Sequence, residues 1–101
     1  MNIRHKFGNI LTYTDGITFH SKKEERYYQN LLLAQSAGDL LFFLRQVPFH
    51  LPGNIRYVVD FGEFWRNGEI RFVDVKGFKT RSYITKKKIV EATYPIKIIE
   101  A

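Results

Sequence analysis

The sequence predicts a mixed α/β domain: an N-terminal β-hairpin, then α-β-β-β-α-β around a mixed central sheet. Three observations predict it. Two β-prone runs flank Asp15-Gly16, a Ser-x-x-Glu box opens a stretch of helical spacing, and two alternating runs flank Asn67-Gly68.

The hairpin comes from Ile10–Thr14 and Ile17–Phe19, with Asp15-Gly16 as a two-residue turn. Ser21-Lys22-Lys23-Glu24 then has Ser at N-cap and Glu at N3. Tyr27, Tyr28, Leu31, Leu32 and Gln35 recur at helical spacing and Gly38 supplies a stop, so a helix is expected over about 22–37. Leu40–Leu51 is an apolar run containing Pro48, which suits an edge strand. Ile55–Phe61 and Ile70–Lys76 read as paired strands around Asn67-Gly68. A second helix fits from Thr80 to about Thr93, with Thr80 as cap and Pro95 beyond its end. Ile96–Ile99 closes the order as a strand.

With 101 residues and neither repeat nor linker, the expectation is one domain over 1–101. Nine Phe, six Tyr and one Trp argue against disorder. The lack of cysteine excludes disulfide frameworks, thiolate metal sites and thiol nucleophiles together. No apolar run reaches the roughly 18 residues of a membrane helix, and Met1–Lys6 lacks the apolar stretch of a signal peptide. The expected protein is soluble and cytoplasmic, with no membrane partner.

Charge is uneven. Residues 76–101 carry Lys76, Lys79, Arg81, Lys86, Lys87, Lys88 and Lys97 against Glu91 and Glu100, which is most of the net +6. Such a segment suits a polyanion, with nucleic acid the commonest, or it is simply a solvated lysine-rich face.

Candidate chemistry lies in four residues. Asp60 sits near the end of an apolar strand, where an unpaired charge is costly. Asp74 and Lys76 lie two apart and so project from one face of the next strand. Glu24 shares a helix stripe with Tyr28, Leu31 and Gln35, whereas Glu25 falls on its flank. Two carboxylates on adjacent strands and a third from a packed helix make a hard-oxygen site for Mg²⁺, with Mn²⁺ as a substitute. A lysine beside it could act on an attacking water or neutralise developing phosphate charge, so phosphodiester hydrolysis needs no organic cofactor. Structural readings stand beside these. Glu24 could serve only the capping box, Asp60 and Asp74 could pair with Arg56 or Arg71, and Lys76 could be a solvated strand end.

Register separates the readings. A strict two-residue turn at Asn67-Gly68 would oppose Asp60 to Val75 and send the two aspartates to opposite faces. A three-residue turn over 66–68, with Gly68 in the left-handed bulge position, pairs Trp65 with Glu69. Asp60 then lies opposite Asp74, about 4.5–5.5 Å apart at Cβ. The functional reading predicts this bulged turn.

The chain resembles the PD-(D/E)XK nuclease superfamily, whose three motifs match Glu24, Val59-Asp60 and Asp74-Val75-Lys76 in order. It is more closely similar to a small phage-encoded family assigned there. That likeness rests on Asp15–Glu24, Tyr57–Phe61 and Val73–Thr80, with the Lys86–Lys88 run following, and reaches from about residue 10 to the C-terminus. Val59 stands where the motif has Pro, and Asp74 where Glu is commoner.

The resemblance implies a restriction-endonuclease-like core in which Asp60, Asp74 and the Val75 carbonyl hold Mg²⁺. Glu24 would complete the shell, and Lys76 would act on the water. It also implies phosphate contacts from Lys79, Arg81, Lys86, Lys87 and Lys88, which position DNA without reading sequence.

The function expected is a Mg²⁺-dependent DNA endonuclease, structure-selective for branched DNA or Holliday junctions. It would act as a homodimer in the cytoplasm of a phage-infected or lysogenic bacterium. The alternatives are a non-catalytic DNA-binding protein of the same fold and a small basic phage structural or assembly protein. His5, His20 and His50 lack metal-ligand spacing, and His20 reads as a helix-entry residue. Trp65 could stack on a base or pack against its neighbouring strand.

Overall fold

The computed structural model describes residues 2–4 and 10–101, so His5 lies outside the described residues. Its elements are β1 (Asn2–Arg4), β2 (Ile10–Thr14), β3 (Ile17–Phe19), α1 (Lys22–Ser36), β4 (Leu40–Leu51), β5 (Ile55–Trp65), β6 (Ile70–Asp74), α2 (Arg81–Thr93) and β7 (Ile98–Glu100). The strands form a three-stranded sheet β1-β2-β3 and a four-stranded sheet β4-β5-β6-β7. The second sheet is mixed, because β4, β5 and β6 are antiparallel while β7 runs parallel to β6. A parallel neighbour needs a crossover, and α2 provides it.

Local chemistry accounts for the boundaries. Asp15 and Gly16 both take positive φ in the β2–β3 turn. That is the backbone a two-residue hairpin requires. Ser21 caps α1, its Oγ accepting the Glu24 N–H at 3.0 Å. At the other end Ala37 is the C-cap and Gly38 turns the chain with φ of +88°. Thr80 repeats the N-cap on α2, its Oγ1 accepting from Tyr83 N–H at 3.0 Å.

Four boundaries differ from expectation. β1 adds a strand to the hairpin; three residues are too few to show a period. β5 runs four residues further, to Trp65, and β7 starts at Ile98 rather than Ile96. β6 stops at Asp74, so Val75 and Lys76 lie beyond the strand. Gln35 leaves the inward stripe of α1 and is exposed, its side chain donating to the Leu41 carbonyl.

Two apolar clusters hold the fold. Phe19, Tyr28, Leu31, Leu40, Phe61, Val73 and Val75 gather around α1. Phe49, Leu51, Tyr57, Val59, Tyr83, Val90 and Ile98 gather around α2. Val59 and Phe61 belong to different clusters, so the chain changes partners across Asp60. The β4–β5 ladder is interrupted at the same level. It pairs Arg45 with Phe61 and Val47 with Val59 and skips the position between, where Gln46 has φ of +54°. Asp60 therefore sits at the seam of the two cores.

Candidate active site

The β5–β6 turn decides the site. Trp65 N–H donates to the Glu69 carbonyl at 2.9 Å, Gly68 N–H donates to the Trp65 carbonyl at 3.0 Å, and Gly68 has φ of +93°. This is the three-residue bulged turn. The ladder then runs Phe64↔Ile70, Glu63↔Arg71, Gly62↔Phe72 and Phe61↔Val73. Its next step sets Asp60 against Asp74, as the functional reading required.

The two aspartates are tied through backbone. Asp60 N–H donates to Asp74 Oδ1 at 3.0 Å, and Asp60 Oδ2 accepts the Val75 N–H at 2.8 Å. The other Asp74 oxygen accepts the Tyr57 hydroxyl. Asp74 is fully buried, and burial raises its carboxyl above the usual range. The Asp60 N–H, Lys76 and Lys87 act against that rise. Arg71 binds Glu69 at 2.6 Å instead of either aspartate, and among the described residues Arg56 forms no ion pair.

Glu24 lies in the capped first turn and still turns its carboxyl inward. Its N–H is held by the Ser21 cap, while its carboxyl is buried, 6% exposed, and meets Asp60. Burial first, then the Asp60 charge and hydrogen bond, push the Glu24 carboxyl up to about 7. The His20 N–H and the Arg45 charge oppose the rise. His20 thus enters the helix start through its backbone and remains exposed.

Lys76 turns towards α2, its ammonium 5.2 Å from the centre of the Tyr83 ring. Tyr83 in turn donates its hydroxyl to Glu100 Oε2 at 2.9 Å. Glu100 Oε1 also receives Lys79 at 3.2 Å and Lys87 at 3.5 Å. Two of the five expected phosphate contacts therefore share one carboxylate. Among the described residues Arg81, Lys86 and Lys88 have no ion-pair partner. Lys23 reaches the Lys76 carbonyl from α1 at 3.4 Å.

The donor set suits a hard divalent cation in kind, because every group is an oxygen. Among the described residues no three His, Cys, Asp or Glu groups gather closely enough to hold a metal as they stand. The reason is visible in Asp74, whose two oxygens are turned to the Asp60 N–H and the Tyr57 hydroxyl. Each carboxylate oxygen has a second lone pair, so these bonds leave ligand capacity. A 590 Å³ concavity lined by Phe64, Ile70, Phe72, Ile96 and Ile99 lies away from all these carboxylates.

Several neighbours went unseen in the sequence. Tyr57 is three residues before Asp60, an offset with no meaning in a regular strand. Tyr83 follows a helix cap and reads as core, and Glu100 reads as a chain-end charge. Arg45 projects beside Glu24 with its guanidinium 4.8 Å from the Phe19 ring. Glu63, also fully buried, lies outside the group and accepts from Tyr27 at 2.6 Å and Trp65 at 2.9 Å. That bond, with Arg71 over the indole ring at 4.7 Å, accounts for Trp65 by packing.

Among the described residues no helix is long and apolar enough to cross a membrane. Comparison with curated proteins and with solved structures finds no match in either set. Residues 4–99 match a family described as a protein of unknown function (DUF1064), and the chain belongs to that family.

Proposed function

We propose that the protein is a Mg²⁺-dependent DNA endonuclease, selective for branched DNA such as a Holliday junction and acting as a homodimer in the host-cell cytoplasm. One observation carries the reading: Asp60 neighbours both the buried Glu24 carboxyl of α1 and Asp74 of β6, with Lys76 two residues beyond Asp74. A buried group of like charges is costly unless a cation joins it.

Asp60, Asp74, Glu24 and the Val75 carbonyl would hold the ion, whose charge supports phosphate binding and water deprotonation. Hydrolysis forms a bond from the water oxygen to phosphorus while the bond to the leaving oxygen breaks. A water proton is lost, and the leaving oxygen gains one. Lys76 supplies a cation to the phosphate or orients the water. Arg81, Lys86 and Lys88, with Lys79 and Lys87 once released from Glu100, hold flanking phosphates.

Cleavage of linear duplex, single strand, flap, fork and four-way junction, each with Mg²⁺, Mn²⁺ or EDTA, tests the reading beside Asp74→Asn. Metal-dependent cutting lost in the variant supports it. Tight binding without cutting under any metal replaces it with a non-catalytic DNA-binding protein. Neither binding nor cutting leaves an assembly role for the basic face.

A further inference from the structure

We propose that Phe78 is a stacking wedge that takes an unpaired or unstacked base beside the scissile phosphate. The inference rests on the DNA-binding part of the proposed function and deepens it by naming the feature of the substrate that is gripped.

Phe78 is 80% exposed, the highest value for a large apolar side chain among the described residues. Leaving such a ring in water forfeits the favourable free energy of burial. Its mounting is fixed on both sides. Upstream, the Val75 N–H is held by Asp60 at 2.8 Å. Downstream, Thr80 caps α2, its Oγ1 accepting from the Tyr83 N–H. Lys76, Gly77, Phe78 and Lys79 are the four residues between these anchors, and a Cβ placed on Gly77 would meet nothing within 4 Å. The ring thus projects into open space from a short, tethered connection.

Its surroundings identify the partner. Lys76 and Lys79 flank Phe78 in sequence and Arg81, which has no ion-pair partner among the described residues, follows, so the ring stands on a cation-rich stretch of chain. Cations for a phosphate backbone interleaved with an aromatic face are the chemistry of a nucleic acid whose bases are open to stacking. Phenylalanine has no hydrogen-bonding group, so it distinguishes base availability and not base identity. A closed duplex offers no free base face without unstacking, whereas a junction, flap or single strand does.

The test is DNA binding by the full chain in EDTA, which separates grip from cutting. Wild type, Phe78→Ala and Phe78→Trp are titrated against a single strand, a four-way junction and a closed linear duplex. Parallel titrations carry 2-aminopurine at the open position. Phe78→Ala is expected to weaken single-strand and junction binding on the order of tenfold and to leave duplex binding within about twofold. Phe78→Trp keeps the affinity. Wild type changes the 2-aminopurine emission and Phe78→Ala does not, while the two proteins melt alike.

Equal losses on all three substrates, or no loss on any, overturn the wedge while the nuclease reading survives. A wild type that binds no DNA overturns both. Binding to anionic phospholipid vesicles that depends on Phe78 overturns the wedge in favour of a membrane contact.

Discussion

Asp60 and Asp74 latch their strands together reciprocally. The Asp60 N–H is bound by an Asp74 oxygen at 3.0 Å, and an Asp60 oxygen binds the N–H of the residue after Asp74 at 2.8 Å. Each carboxylate satisfies a backbone donor where β5 and β6 part, so the groups that would do chemistry also close the sheet.

Removing Asp74 therefore has two separable effects. Asp74→Ala strands the Tyr57 hydroxyl and the Asp60 N–H in a buried place, at about 1–3 kcal/mol of stability. Asp74→Asn keeps an acceptor oxygen and should melt closer to wild type. Both should lower metal-dependent cleavage by more than about a hundredfold. Thermal melts read beside cleavage rates check this, and an active Asp74→Asn would remove Asp74 from the chemistry.

Glu24 predicts a pH dependence of stability without metal. Its folded carboxyl titrates near 7 against an ordinary 4.5, so the folded state holds the proton more tightly than the unfolded one. Stability from this group is complete below about 4.5 and is lost as pH rises through about 7. The raised Asp74 carboxyl acts in the same direction. Melts in EDTA should fall between pH 5 and 8 by several degrees, roughly 4 °C or more. Glu24→Gln should flatten that fall. Added Mg²⁺ should restore the wild type at pH 8 more than the variant.

Glu100 occupies a place that phosphate would compete for. Glu100→Gln releases Lys79 and Lys87, so DNA binding in EDTA should tighten and its salt dependence steepen by up to about two charges. Lys79→Met should then cost more affinity in the Glu100→Gln background than in wild type. Anisotropy titrations at several salt concentrations measure both. An additive pair would mean that Glu100 acts only as a distant negative charge.

The bulged turn is a further point of sensitivity. Gly68 has φ of +93° and nothing within 4 Å of a Cβ placed on it, so Gly68→Ala adds backbone strain alone. The cost is about 1 kcal/mol. Deleting Arg66 leaves Asn67-Gly68 as a two-residue turn that still pairs Trp65 with Glu69, so Asp60 stays opposite Asp74. That protein should keep its cleavage and lose the Arg66 N–H bond to the Asp39 carbonyl; melts beside cleavage rates check this, and lost cleavage would mean a slipped register.

What the sequence revealed follows the reach of local rules. Both capped helices, the edge strand and the aspartate register were legible, because Ser21, Thr80, Pro48 and Gly68 each act within a few residues of themselves. β1 is too short for a period. The seam at Asp60 depends on Gln46, whose left-handed backbone nothing in its neighbourhood announces. Tyr57, Tyr83 and Glu100 escaped for a different reason. Each acts across the fold, on Asp74, Lys76 or the lysines, and a hydroxyl or carboxylate looks the same in sequence whether it faces solvent or a site.

The interruption of β4 also bears on aggregation. A twelve-residue strand at a sheet edge offers a long comb of free backbone groups to any passing chain. Here the comb is broken twice, by the left-handed turn of the backbone at Gln46 and by Pro48, which has no N–H to give. An incoming strand would find only Phe42–Arg45 in regular extension before losing step, since the register also shifts between Leu40 and Phe42. The same irregularity that lies beside the carboxylates thus keeps the molecule from templating fibres through its longest exposed edge.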